Sequence, residues 1–392
     1  MTSPRGVAPF FNHLPVRIRF GDGTARGLGD VVAADGADRV VVVIDAGLEE
    51  ASAAVSEAIA GLQARVGSIG RQVKAPGEPT DTIVDEAAAT ISDAGAQVIV
   101  AIGGGSVIDT AKAARLCAQL ELPYAEFVKG PREIPAAVLP LVAVPTTAGT
   151  GSEVSGGAVI TTEANNRKAG IASPNLRAQD AIVDPVLTHS APPSVTSYSG
   201  VDALAQAIAG MVAKCRTPIG DAIALEAVRL IGRSLTVAHR DGSNAAARSE
   251  VACGSLMAGL TMNISDCTAE HSLGQAIGGE FHAPHGLTIG LVIAETLDRE
   301  RHVVPEQLER VADALGAPDD DSRDGTRAAR AIRALLADLE FPVLGSLGVA
   351  EGDLDRLTEL AMADYFITQS PRPWSAAETR QAFASALALE GR

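Results

Sequence analysis

Apolar positions follow two different rhythms along this chain. Up to about residue 190, short β-branched runs alternate with alanine-rich amphipathic stretches. Residues 39–46 (RVVVVIDA), 96–105 (AQVIVAIGGG) and 137–147 (AVLPLVAVPTT) have the length and composition of buried strands. Between them, 49–65, 82–95 and 107–120 carry the spacing of helices, the second ending on a glycine stop. Strand and helix in steady alternation predict a parallel sheet covered by helices. Beyond the proline-rich joint DPVLTHSAPPS (184–194) the strand signals fade. Long Ala/Leu-rich segments follow, such as 220–239 and 326–339, with an acidic surface loop at 316–326. The expected architecture is an α/β domain with a parallel sheet over 1–190 and an all-α domain over 191–392.

Length and charge narrow the function. A chain of 392 residues exceeds one small core, in keeping with two domains. Its formal charge of −16 argues against nucleic acid or an anionic membrane surface as partner, since both are met by basic patches. The first twenty residues lack the apolar core of a signal peptide, and no stretch has the uncharged length of a membrane span. Cys117, Cys215, Cys253 and Cys267 are scattered without a CxxC pair, which suits free thiols in a reducing cytoplasm.

The strongest local motif is VIVAIGGGSVIDTAK (98–112). A strand that runs into Gly103, Gly104, Gly105 and Ser106 and straight on into a helix brings backbone N–H groups and a positive dipole end to one point, a cradle for a pyrophosphate. The motif matches neither GxGxxG nor the P-loop. A tight strand–helix turn without ligand is the plainer reading. A second glycine-rich stretch, 144–161, offers Thr146, Thr147 and Ser152 after another strand, and such loops gather at the carboxyl edge of a parallel sheet. Asp45 ends the first strong strand. A carboxylate there can accept hydrogen bonds from an adenosine ribose and repel a 2′-phosphate, favouring NAD over NADP.

Candidate metal ligands lie in the second half. In SGVDALAQAIAG (199–210), Asp202 and Gln206 share a helix face. The segment 267–290 holds His271, His282 and His285, three of the seven histidines. AEHSLGQAIGG reads as helix and HAPHG as the loop after it. Asp202 with two of these histidines would make an oxygen–nitrogen set suited to zinc or ferrous iron. Two polar residues on an ordinary helix face are the alternative.

These stretches carry a resemblance. GGGSVIDTAK, PTTAGTGSEV, IVDPVLT, GVDALAQAI, HSLGQAIGGEFHAPHG and QSPRPWSAAE resemble, in order and over nearly the whole chain, the iron-containing alcohol dehydrogenase family of the dehydroquinate synthase-like superfold. The resemblance implies a nucleotide-binding α/β domain, a helical domain and a divalent metal in the cleft between them. It implies that Gly103, Gly104, Gly105 and Ser106 hold the NAD(P) pyrophosphate, that Thr146, Thr147 and Ser152 line the cofactor cleft, and that Asp109 lies near the nicotinamide. Asp202, His271 and His285 match metal ligands. Gln206 stands where the family has a further histidine ligand, and Gln275 replaces a histidine near the nicotinamide. His282 fits the family's frequent H-x-P-H form and is a candidate general acid/base.

The implied activity is hydride transfer between NAD(H) and a small alcohol or aldehyde, with the metal as Lewis acid on the substrate oxygen. A homodimer is implied as well. A metal-independent reductase of the maleylacetate reductase type stays open, as does a dehydroquinate synthase-like lyase or cyclase, which would need cations near the site; Lys129, Arg132, Arg167 and Lys168 are its candidates. A nucleotide-binding protein without catalysis is a third alternative.

Overall fold

A computed structural model of the chain describes residues 9–388 apart from 35, 131, 137, 165 and 166. Six strands form one parallel sheet: β1 (Arg17–Phe20), β2 (Arg39–Asp45), β3 (Ser68–Lys74), β4 (Val98–Gly103), β5 (Leu141–Pro145) and β8 (Asp180–Val183), in the order β1-β8-β5-β4-β2-β3. Strands β6 (Gly157–Thr162) and β7 (Arg167–Ala172) make a separate antiparallel hairpin.

The central strands are apolar without a break because both faces are covered. Val41, Val43, Ile99 and Ala101 pack under the helices Asp81–Asp93 and Gly105–Leu120. Val40, Val42, Ile44, Val100 and Ile102 turn to the opposite face, where the helices Leu28–Ala34 and Ala53–Gln63 lie. The sheet is therefore a two-sided core, and the carboxyl ends of β2, β4 and β5 finish side by side, with Ile44 opposite Ile102 and Gly103 opposite Pro145.

From Pro193 onward the described elements are helical. The helix Pro193–Val212 is the axis of this part, and every residue from 200 to 212 on it is buried. A helix apolar almost all round belongs in the middle of a bundle. It packs against Pro218–Arg240 and Ala245–Ser265 through Leu204, Ile208, Val228, Ile231 and Val251. The fold is thus an α/β domain built on a parallel sheet followed by a helical one.

Two sequence expectations need correction. The helix read over 49–65 is two pieces, Leu48–Ala51 and Ala53–Gln63. Ser52 between them is extended at φ −135°, and its side chain accepts the Val55 N–H to cap the second piece. HAPHG is not wholly loop, because His285 begins the helix His285–Gly290 behind Pro284. The sequence reading also passed over β1, β3, β8 and the hairpin. β1 and β3 are edge strands with exposed, partly charged positions, and β8 is only four residues long.

Candidate active site

The glycine loop is built by close approach. A Cβ on Gly105 would stand 2.5 Å from Thr150 Oγ1, and one on Gly103 would stand 2.6 Å from Val107 Cγ2. Thr146 N–H donates to the Gly103 carbonyl at 3.0 Å, tying the loop after β5 to the loop after β4. Thr147 lies against Gly104. No side chain caps the helix Gly105–Leu120, so its first N–H groups and its dipole are left to a ligand. Asp45, at the end of β2, reaches this loop, since its Oδ2 lies 3.0 Å from a Cβ built on Gly103. Burial raises the Asp45 carboxyl, and Lys74 and the Gly104 N–H pull it back in part. Lys74 Nζ is 3.5 Å from Asp45, but it is buried and donates to the carbonyls of Ala75 and Gly77. Of this pair, Asp45 is the partly exposed partner.

Beside the loop lies a buried polar knot. Ser152 Oγ donates to Asp109 Oδ1, and the Val159 N–H donates to Asp109 Oδ2 at 2.9 Å. Lys112 Nζ, fully buried, donates to Ser152 Oγ, Ser155 Oγ and the Gly157 carbonyl at 2.9, 3.2 and 2.7 Å. Burial pulls this ammonium down to about 8, against Asp109 and Glu153, which push it up. Burial lifts Glu153 to about 7. Asp109 thus anchors the hairpin and the Ser152 loop to the glycine-loop helix.

Across the cleft, Asp202, His271 and His285 converge. Asp202 Oδ1 is 3.5 Å from His271 Nε2 and 3.7 Å from His285 Nε2, and the three candidate ligand atoms lie within 4.8 Å of one another. Gly286 makes this possible. A Cβ there would stand 2.2 Å from the Tyr198 carbonyl, so only glycine lets the start of His285–Gly290 lie flat on the helix that carries Asp202. Burial pushes Asp202 up, but His285 and His271 outweigh it and hold the carboxyl below its ordinary value. Gln206 Nε2 donates to Asp202 Oδ2 at 3.1 Å. Asp202 Oδ1 and Gln206 Oε1 are both buried and accept no hydrogen bond.

Both ends open on one cavity of about 620 Å³, lined among others by Gly105, Ser106, Asp109, Ser152, Asp202, His271 and His285. Gln206 and Gln275 line it too. His282 does not. It is an exposed C-cap residue at φ 52°, at the end of the helix Ala269–Phe281, and is not among the residues that line the cavity. Of the four cations considered, Lys168 lines the cavity and pairs with Glu78 at 3.2 Å. Lys129 and Arg132 pair with Glu126 outside the cavity lining, and the Arg167 side chain lies outside the described residues. Sequence reasoning missed Thr150, Lys112, Glu153 and Glu270. Lys112 had a signal, a lysine one turn after Asp109 in the middle of a largely apolar helix.

The comparisons with known proteins agree with this geometry. Residues 15–185 match the family model described as iron-containing alcohol dehydrogenase, and residues 196–387 match the C-terminal model of the same family. The chain belongs to the iron-containing alcohol dehydrogenase family. It is 34% identical to the choline dehydrogenase of Bacillus subtilis (strain 168), over 92% of this chain and 90% of that protein. It is 35% identical to the sulfoacetaldehyde reductase of Bilophila wadsworthia (strain 3_1_6), over 69% and 71%. A crystal structure of 1,3-propanediol oxidoreductase superposes with a TM-score of 0.91 at 29% identity, covering 96% of this chain and all of that one. As a member of this family the chain is an oxidoreductase acting on CH–OH groups, and the family works with NAD(H) and a divalent metal, typically iron.

Proposed function

We propose that this iron-containing alcohol dehydrogenase family member passes hydride between NAD(H), seated on the glycine loop, and a small alcohol or aldehyde held at Asp202, His271 and His285. The observation that carries the reading is Asp202 Oδ1, a buried carboxylate oxygen without a hydrogen-bond partner that faces two imidazole nitrogens. A carboxylate and two imidazoles suit Zn²⁺ or Fe²⁺, with Gln206 Oε1 as a weak fourth donor. When bound, the ion supplies a Lewis acid for the substrate oxygen and the nicotinamide supplies or accepts hydride.

The chain's own residues supply position. Gly103, Gly104, Gly105 and Ser106 cradle the pyrophosphate, and Asp45 accepts from the ribose hydroxyls, which favours NAD over NADP. Thr146 and Thr147 shape the cleft between the two loops. Asp109 acts through Ser152 as a positioning residue. The metal-independent alternative leaves Asp202 Oδ1 with its charge contacts to the two imidazoles and no hydrogen bond, and the lyase alternative would need more cations at the cavity than Lys168 and Arg177, which line it among the described residues. The cleft fits a division of the chain near residue 190 into its two domains. β1 is an edge strand with Ile18 and Phe20 exposed, and Phe10 and Phe11 in the segment before it are exposed as well, apolar surface suited to a second copy in a homodimer. The free cysteines fit a cytoplasmic location.

The test is metal content and aldehyde-dependent NADH oxidation in the parent protein and Asp202→Ala. The parent is expected to hold a stoichiometric divalent ion and to lose turnover with chelator, regaining it with Zn²⁺ or Fe²⁺. Equal, low metal in both proteins would overturn the metal assignment.

A further inference from the structure

Behind the cluster stands a carboxylate that never reaches the cavity. Glu270 is buried at the start of the helix Ala269–Phe281. Its Oε1 lies 2.9 Å from His271 Nδ1 and accepts the Thr268 N–H at 3.0 Å; its Oε2 accepts from Thr268 Oγ1. Sequence neighbours on a helix face different ways in general. In this first turn the Glu270 side chain folds back toward the N-cap and meets the near side of the imidazole. A buried carboxylate is costly without compensation. The helix N-terminus and the Thr268 donors offset part of that cost.

The contact decides how His271 presents itself. An ionised carboxylate only accepts, so the Nδ1–Glu270 bond requires the proton on Nδ1. Nε2 is then free to offer a lone pair toward Asp202 Oδ1 at 3.5 Å. Two lone pairs facing each other across that gap repel unless a proton or cation sits between them. The inner donor set carries one formal charge, on Asp202, and the amide of Gln206 is a poor donor. A second carboxylate bonded to the outer nitrogen of a ligating imidazole fixes its ring and raises its basicity.

We propose that Glu270 is a positioning residue for metal binding: it holds His271 in the Nδ1–H form, aims Nε2 at the ion and adds a second negative charge behind a donor set whose own formal charge is Asp202's alone. This rests on the metal reading above. In Glu270→Gln the amide oxygen can still accept from Nδ1 and from the Thr268 N–H, but the charge is gone. Zn²⁺ affinity, measured by competition with a chromophoric chelator, is expected to fall about 10- to 100-fold. The melting temperature of the metal-free protein and its NADH affinity should hardly move. A helix-capping role alone would lower the melting temperature and leave zinc affinity in proportion, which would overturn the proposal. Equal zinc affinity in parent and variant would overturn it while leaving the metal site standing. Failure of the parent to bind zinc would overturn both. Should the variant not fold, histidine ¹⁵N spectra of the zinc-loaded parent decide: a zinc-bound imidazole with a strongly hydrogen-bonded Nδ1–H is expected, and one bound to zinc through Nδ1 overturns the assignment.

Discussion

The two ends of the cleft are built from opposite materials. At the cofactor end the working parts are backbone. Gly103, Gly104 and Gly105 are useful for the side chains they lack, and a helix supplies unpaired N–H groups. At the metal end the working parts are side chains on three helices, Asp202 on Pro193–Val212, His271 on Ala269–Phe281 and His285 on His285–Gly290. Backbone sites are written in a contiguous stretch of chain. Side-chain sites depend on packing between distant stretches, so the first should be brittle to added volume and the second to changed donors.

Gly105→Val tests the brittle end and should have the largest effect. The added atoms would press on Thr150, whose Oγ1 already lies 2.5 Å from a Cβ at that position. Overpacking of about 1–3 kcal/mol predicts NADH binding roughly 10- to 100-fold weaker. Fluorescence titration with NADH measures it, and zinc affinity should be unchanged in the same protein. A parallel loss of zinc would mean that the two ends do not fold independently.

The same contrast explains what was legible beforehand. Residues 98–112 announce strand, turn and helix within one window, and the sheet alternation is equally local. Asp202, His271 and His285 could be named as types and spacings, but their meeting required Gly286 to lie against Tyr198, a contact between residues 88 apart that no periodicity encodes. His282 and His285 look equivalent in HAPHG. The helix C-cap puts the first outside the cavity, and the new helix after Pro284 turns the second into it. Glu270 went unread because helical spacing argues against a contact between neighbours, and only the first-turn geometry allows it.

Gln206→His sharpens the donor argument. The amide is buried with its Oε1 unpaired beside Asp202, so an imidazole there would bring a nitrogen donor to the ion. Zinc or iron affinity should rise by about tenfold, the order of a 1.4 kcal/mol gain. The expected signature is slower metal loss to chelator, with NADH binding unaltered. No change in affinity would remove the position from the ligand set.

The smallest effect concerns the layer behind the metal end. Glu300 is fully buried, accepts from Trp374 Nε1 at 3.1 Å, and lies near Glu270. Burial lifts its carboxyl to about 8, helped by repulsion from Glu270, against the bonds from Ser370 and Trp374 and the charge of Arg372. The folded protein therefore keeps this proton at neutral pH, whereas the unfolded chain gives it up near the ordinary glutamate value of 4.5. Unfolding releases a proton between those two values, so this group makes stability fall as pH rises through that window. Glu300→Gln carries a neutral isostere that can still accept from Trp374. Its melting temperature should match the parent's at acid pH and exceed it by a few degrees near pH 8. A difference that did not grow with pH would mean that Glu300 is ionised in the fold, and that the charge beside Glu270 is shared rather than held by Glu270 for His271.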